Sequence, residues 1–205
     1  MYLLDRRIAG IVILLLWAMP VAAKGMATGS LLKDRPRGGL RTWFTHVFNF
    51  LFLIVATPLA AILLIIRRPQ NLDPAPLALG TSGLRAGIWV AGMLLYGAGC
   101  ILLAWALFTL RGSYQVGGNV PRASDELVTR GPYRFVRHPM YAAALCISLG
   151  LACLTHSLAY FCMFCIYVLL ILLLIPLEED ALHRSYGERY AVYRDTVKRL
   201  APPFF

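Results

Sequence analysis

Twenty-one consecutive residues, Ser157 to Leu177, carry no charged side chain. A helix needs about 20 apolar residues to cross the hydrocarbon core of a bilayer. Four more apolar runs accompany this one: Ile8–Ala23, Trp43–Ile66, Gly87–Leu110 and Pro139–Thr155. The first and fourth are short for a span, and only Thr155-His156-Ser157 separates the fourth run from the fifth. That spacing predicts a tight antiparallel hairpin. Trp43 and Trp89 fall near expected helix starts, where interfacial aromatics concentrate. Pro58 interrupts the second run, and a neighbouring helix is expected to satisfy the carbonyl it frees. The expected fold class is all-α: a polytopic membrane helical bundle of about five transmembrane helices with a cytoplasmic amphipathic C-terminal helix.

Composition agrees. The chain is 59% apolar and 15% charged, with a mean hydropathy of +0.67, well beyond an ordinary soluble domain. Its 205 residues suit one unit, taken as a single domain over 1–205 with a three-helix part at 1–110. The net charge of +10 is distributed unevenly. In a five-span layout one side holds Arg6, Arg7, Arg67, Arg68 and Arg85, and the other holds the remaining fifteen basic residues. Positive charge marks the cytoplasmic face, so the expected C-terminus is cytoplasmic and the expected location is the inner or plasma membrane. This placement also explains the basic balance by topology and contact with anionic headgroups, so no nucleic-acid partner is expected. The first run resembles a secretory signal peptide, with Arg6-Arg7, an apolar centre and a small-residue Val21-Ala22-Ala23. Retention is expected, because the overall charge asymmetry outweighs two arginines.

The five cysteines, including Cys162 and Cys165 in a C-x-x-C, all fall in apolar runs without further ligands. Apolar packing is expected of them, and no metal. Beyond Leu177, Tyr186, Tyr190, Tyr193, Val197 and Leu200 recur at helical spacing. They predict an amphipathic helix at the interface or folded back on the bundle, weakened by Gly187 and ended by Pro202-Pro203. Glu178 and Glu179 stand where the fifth span ends, and carboxylates there are costly unless paired or functional. The hairpin puts Arg137 and His138, at the start of the fourth run, beside them. An ion-paired helix end and a functional site both fit that corner.

These residues carry a resemblance. "ELVTRGPYRFVRHPMY", followed by "EEDALHRSYGERYAVYRDTVKRLAPPF", is similar to the isoprenylcysteine carboxyl methyltransferase family and its phospholipid methyltransferase relatives. The shared pattern is Leu-Val-x-x-Gly-x-Tyr, Arg-His-Pro-x-Tyr, a Glu-Glu pair, Gly-x-x-Tyr-x-x-Tyr, then a closing Arg and Pro. It runs from Glu126 to Phe205, while the first half resembles the family only in membrane character.

The resemblance implies an S-adenosylmethionine-dependent membrane methyltransferase whose cofactor-binding part is 111–205. The cofactor contacts implied are Glu126, Leu127, Val128, Tyr133, Arg137, His138, Pro139, Met140, Tyr141, Glu178 and Glu179. His138 and Glu178 are the implied catalytic residues. The chemistry is consistent, since aromatic faces suit a sulfonium and charged side chains suit the ammonium and carboxylate of the cofactor. Membrane lipids and a lipophilic or amphiphilic small molecule are the implied partners. The isoprenylcysteine enzymes carry an arginine for the substrate carboxylate one turn before the glutamates. Leu174 stands there, which argues against a prenylcysteine carboxylate as acceptor. A Gly-x-Gly near the end of the third helix is also not evident, since Gly112 stands alone. Two alternatives stay open: an NADPH-dependent enzyme like the sterol reductases, for which ten or so spans are expected, and a non-catalytic protein retaining the fold.

Overall fold

A computed structural model describes residues 6–29, 39–66, 81–110 and 125–200. Seven α-helices are found among them: α1 (Arg6–Thr28), α2 (Leu40–Phe50), α3 (Thr57–Ile65), α4 (Ser82–Leu110), α5 (Pro139–Thr155), α6 (Leu158–Tyr186) and α7 (Glu188–Thr196). A π-helical segment, Leu51–Ala56, joins α2 to α3, and a 3-10 turn, Gly131–Arg134, precedes α5. Gly112, the tail stop at Pro202-Pro203 and most of the basic loops lie outside the described residues.

The expected all-α membrane bundle is present. Four helical stretches are long and apolar enough to cross a bilayer: Arg7–Ala27, Val47–Ile65, Ser82–Leu110 and Leu158–Tyr186. The fifth, α5, has 17 residues and reaches only about 25 Å at 1.5 Å per residue. Its shortness is matched by its setting, because Ala143, Ile147, Leu151 and Leu154 are all buried in the bundle core. Helix α6 instead turns Phe161, Ile166, Leu169, Leu172 and Leu173 outward, as a lipid-facing helix must.

Pro58 is handled as expected, and the partner can be named. In the π-helical register before it, the carbonyl of Leu53 would have bonded the missing Pro58 N–H. The indole N–H of Trp17 on α1 donates to that carbonyl at 2.6 Å. Tyr160 of α6 likewise donates to Ala56 O at 2.8 Å. The π segment is therefore pinned by α1 on one side and α6 on the other.

Helices α4 and α5 pack backbone to backbone. A Cβ placed on Gly99 would lie 2.9 Å from Ala143 O and from Ile147 N. One on Gly150 would lie 2.7 Å from Tyr96 N and 2.9 Å from Gly92 O. Lipid tails are as apolar as leucine, so close packing of small residues is a main source of helix association in membranes. The hairpin closes at His156, which takes the left-handed conformation (φ 51°) with its N–H on Ala152 O. Histidine is among the non-glycine residues that tolerate that region.

Four details differ from expectation. Trp89 is buried two turns inside α4, because that helix starts at Ser82; Trp43 is exposed as expected. Cys162 and Cys165 are exposed on α6, so they do not pack. Helix α6 continues to Tyr186, so Glu178 and Glu179 lie inside it and not at its end. The tyrosine stripe is divided, with Tyr186 on α6, Tyr190 and Tyr193 on α7, and Val197 and Leu200 beyond it. Gly187, at φ 55°, makes the break.

Candidate active site

Glu178 and Glu179 are neighbours on α6, yet about 100° of helix rotation separates them, and they meet different partners. Glu179 is 6% exposed. Its Oε1 accepts from Arg137 Nε at 3.0 Å and Nη2 at 2.6 Å, with His138 Nε2 at 3.4 Å. Its Oε2 accepts from Arg199 Nε at 3.1 Å and lies 2.9 Å from Arg199 Nη2. Charge-assisted bonds of this kind are the strong ones, and here they meet the requirement that a buried charge be paired.

Glu178 is more open, with its side chain 23% exposed. Its Oε2 accepts from the Tyr141 hydroxyl at 2.7 Å and lies 3.9 Å from His138 Nδ1. His138 sits between the two carboxylates, one ring nitrogen toward each, and stacks on Tyr141 with centroids 5.5 Å apart. The hairpin makes this arrangement. Pro139 opens α5, so His138 and Tyr141 project from its first turn onto the flank of α6.

The tail completes the corner. The N–H groups of Arg137 and His138 donate to the carbonyls of Lys198 and Arg199 at 2.7 and 3.0 Å. This forms a short parallel pairing around Val136 and Lys198. Arg137 Nη1 also donates to Arg194 O at 2.7 Å and to Val197 O, closing the C-terminal end of α7. Cations are favoured there because the last carbonyls of a helix lack partners. Arg137 thus ties α6, α7 and the tail to the start of α5. Tyr193 donates to Tyr133 O at 2.6 Å, and burial pushes its phenol up to about 12, so it stays a neutral donor. Tyr186 donates to Asp125 O at 3.2 Å.

Of the residues singled out in the sequence, Arg137, His138, Tyr141, Glu178 and Glu179 converge. Pro139 is buried as the first residue of α5, and Met140 packs toward the core of the other helices. Tyr133 is buried and joins through its backbone to Tyr193. Glu126 is exposed, with Leu127 and Val128 half-buried beside it in a segment that is neither helix nor strand. Leu174 is 2% exposed in an apolar cluster with Tyr141, Tyr167, Ile171 and Ile175. It forms a wall below the corner.

Two participants are not among the site residues that the sequence points to. Arg199 is the closing arginine of the sequence pattern, which was the signal for it. Tyr190, in Gly187-x-x-Tyr190-x-x-Tyr193, is 1% exposed, and its hydroxyl has no hydrogen-bond partner among the described residues. Burial raises its phenol well above the ordinary value, with the Glu179 and Glu178 charges adding, so it too stays protonated.

No curated protein matches the chain in sequence. A family model described as phospholipid methyltransferase matches residues 88–189. The match begins inside α4, earlier than the motifs, so the resemblance extends to a helix whose sequence showed only membrane character. It takes in His138, Tyr141 and the glutamate pair and stops at Arg189, before the tail that carries Arg199. Through residues 88–189 the chain belongs to the phospholipid methyltransferase family of integral membrane methyltransferases.

Proposed function

We propose that the protein transfers a methyl group from S-adenosylmethionine to a lipid-soluble acceptor, at the corner where α5, α6 and the tail meet. One observation carries the reading. A half-open carboxylate, Glu178, acts electrostatically on a buried tyrosine hydroxyl, Tyr190, that has no hydrogen-bond partner among the described residues. A buried polar group without a partner is costly, so such a pair fits a ligand offering both donors and acceptors. The amino-acid and ribose portions of the cofactor offer both.

When bound, S-adenosylmethionine supplies a methyl group already activated on a sulfonium. Glu178 would accept from the ammonium or the ribose hydroxyls, and the phenol of Tyr190 would donate to a ligand oxygen. The stacked rings of His138 and Tyr141 present aromatic faces suited to a cation. Glu179 and Arg137 are saturated by protein partners, so their contribution is to hold His138 in place. With an activated donor, positioning and exclusion of water are the main tasks left to the chain. An amine acceptor must also lose a proton, which Glu178 or His138 can take. Leu174, Ile171 and Ile175 form an apolar wall with no arginine there to meet a substrate carboxylate, so the acceptor is neutral, cationic or a thiol, on a molecule arriving from the lipid.

Cofactor binding to the detergent-purified chain tests this reading. S-adenosylmethionine and its demethylated product are expected to bind, and Glu178→Gln to weaken both about tenfold, the scale of a lost charge-assisted bond. His138→Ala is expected to weaken them too, with elution and helicity unchanged. Wild-type affinity in both variants, or binding of NADPH in place of S-adenosylmethionine, would overturn it.

The site is proposed to face the cytoplasm, on the charge asymmetry of the sequence. A reporter active only in the cytoplasm, fused after Phe205, is expected to be active. A silent fusion at normal expression would reverse the orientation.

A further inference from the structure

The 3-10 turn Gly131–Arg134 packs against the end of α4. Gly131, at φ 60°, brings it so close that a Cβ there would lie 2.7 Å from Thr109 Oγ1. Beside the contact is a cavity of about 400 Å³ lined by Phe108, Thr109, Arg130 and Gly131. Phe135 follows the turn, 53% exposed, with its ring 6.4 Å from that of Trp105 and the Arg134 guanidinium 5.3 Å from its centroid. Trp105 and Phe108 are themselves 46% and 42% exposed.

Depth decides what this surface meets. The apolar stretch of α4 ends at Leu110, so Trp105 stands about 8 Å below that end at 1.5 Å per residue. That is the zone where acyl chains give way to headgroups and where amphipathic aromatics settle. Arg130 and Arg134 are exposed and make no ion pair among the described residues. Charge complementarity therefore calls for an anion there. The cationic half of a zwitterionic headgroup would find no carboxylate in this groove among the described residues, whereas a phosphodiester with net negative charge suits guanidinium donors.

We propose that this groove is a binding site for an anionic glycerophospholipid of the surrounding leaflet. Its phosphate is taken by Arg130 in the cavity with Arg134 from the same turn, and its glycerol and upper acyl carbons lie on Phe108, Phe135 and Trp105. The inference does not depend on the methyl-transfer reading. It concerns a lipid held at the bundle edge, and its test involves no turnover.

Trp105 serves as the local reporter. The purified full chain is reconstituted in phosphatidylcholine vesicles containing small, equal fractions of brominated phosphatidylglycerol or brominated phosphatidylcholine. Trp105-dependent emission is taken as the difference between wild type and Trp105→Phe. Brominated phosphatidylglycerol is expected to quench it at about one fifth of the fraction the choline lipid needs, or less, the scale of one arginine near an anionic surface. Arg130→Gln with Arg134→Gln is expected to erase that preference, and Arg130→Lys with Arg134→Lys to keep most of it. Arg184→Gln with Arg189→Gln, exposed arginines elsewhere on the protein, is expected to leave it intact. Equal quenching by the two lipids in wild type would overturn the proposal. So would a preference that survives the groove glutamines, or one that the Arg184 and Arg189 substitutions erase equally. Millimolar inorganic phosphate abolishing the preference would make this a free-anion site and overturn the lipid assignment.

Discussion

Glu179→Gln is expected to release the tail, and Glu178→Gln is not. The two substitutions are chemically identical and one residue apart. Glu179 is buried against Arg137, with side chains 8% and 7% exposed, and Arg199 is the third member. Removing its charge leaves a buried guanidinium uncompensated, a change that costs about 3–5 kcal/mol for buried pairs. The backbone pairing of residues 137–138 with 198–199 is too short to hold the tail alone. Trypsin sites at Arg189, Arg194, Lys198 and Arg199 should then open. Limited proteolysis of the folded variant in detergent is expected to cut there much faster than in wild type. Glu178, bonded to one tyrosine and partly exposed, should leave the cleavage rate within about twofold, as surface changes generally do. Equal tail protection in the two variants would show that Glu179 is not what holds it.

The contrast between these two glutamates marks where the sequence stops being legible. The apolar runs located the spans, and Pro139 marked the start of α5 to the residue, because proline suits the first turn of a helix. The short Thr155-His156-Ser157 link required the hairpin, and the hairpin required Arg137 and His138 to meet the acidic pair. Which glutamate is sealed and which is open depends on how α6 is rotated about its axis, and a run apolar on every side carries no phase. Helix α6 outlasted its apolar run for a related reason. "EEDALHRSY" is a good helical sequence, and only Gly187 ends it. Likewise Arg85 made the third apolar run begin late, at Gly87, although α4 begins at Ser82. Arg199 could be read only as part of a motif, since its place is set by a backbone pairing that follows no side-chain periodicity.

The second large effect concerns α4 and α5, and there the sign of one substitution should depend on position. Replacing glycine by alanine in an exposed stretch of helix gains about 1 kcal/mol of intrinsic propensity. Gly87, with nothing within 4 Å of the place a methyl group would take, should accept alanine with stability unchanged or raised. At Gly150 the same methyl would meet backbone, 2.7 Å from Tyr96 N and 2.9 Å from Gly92 O. Backbone atoms cannot swing aside as a side-chain tip can, so the two helices must separate, and overpacking of this kind costs about 1–3 kcal/mol or more. The steric loss exceeds the propensity gain. Gly150 lies twelve residues from His138 on α5, about 18 Å along the axis, so the strain also reaches the first turn that presents His138 and Tyr141 to Glu178. Gly150→Ala should therefore lower the thermal midpoint of the detergent-solubilised protein and weaken ligand binding at the α5 mouth, and Gly150→Leu should prevent accumulation of monodisperse protein. Gly87→Ala and Gly87→Leu, on the same pair of helices, should do neither. A Gly150→Ala protein as stable as Gly87→Ala would mean that α4 and α5 do not meet backbone to backbone at this crossing.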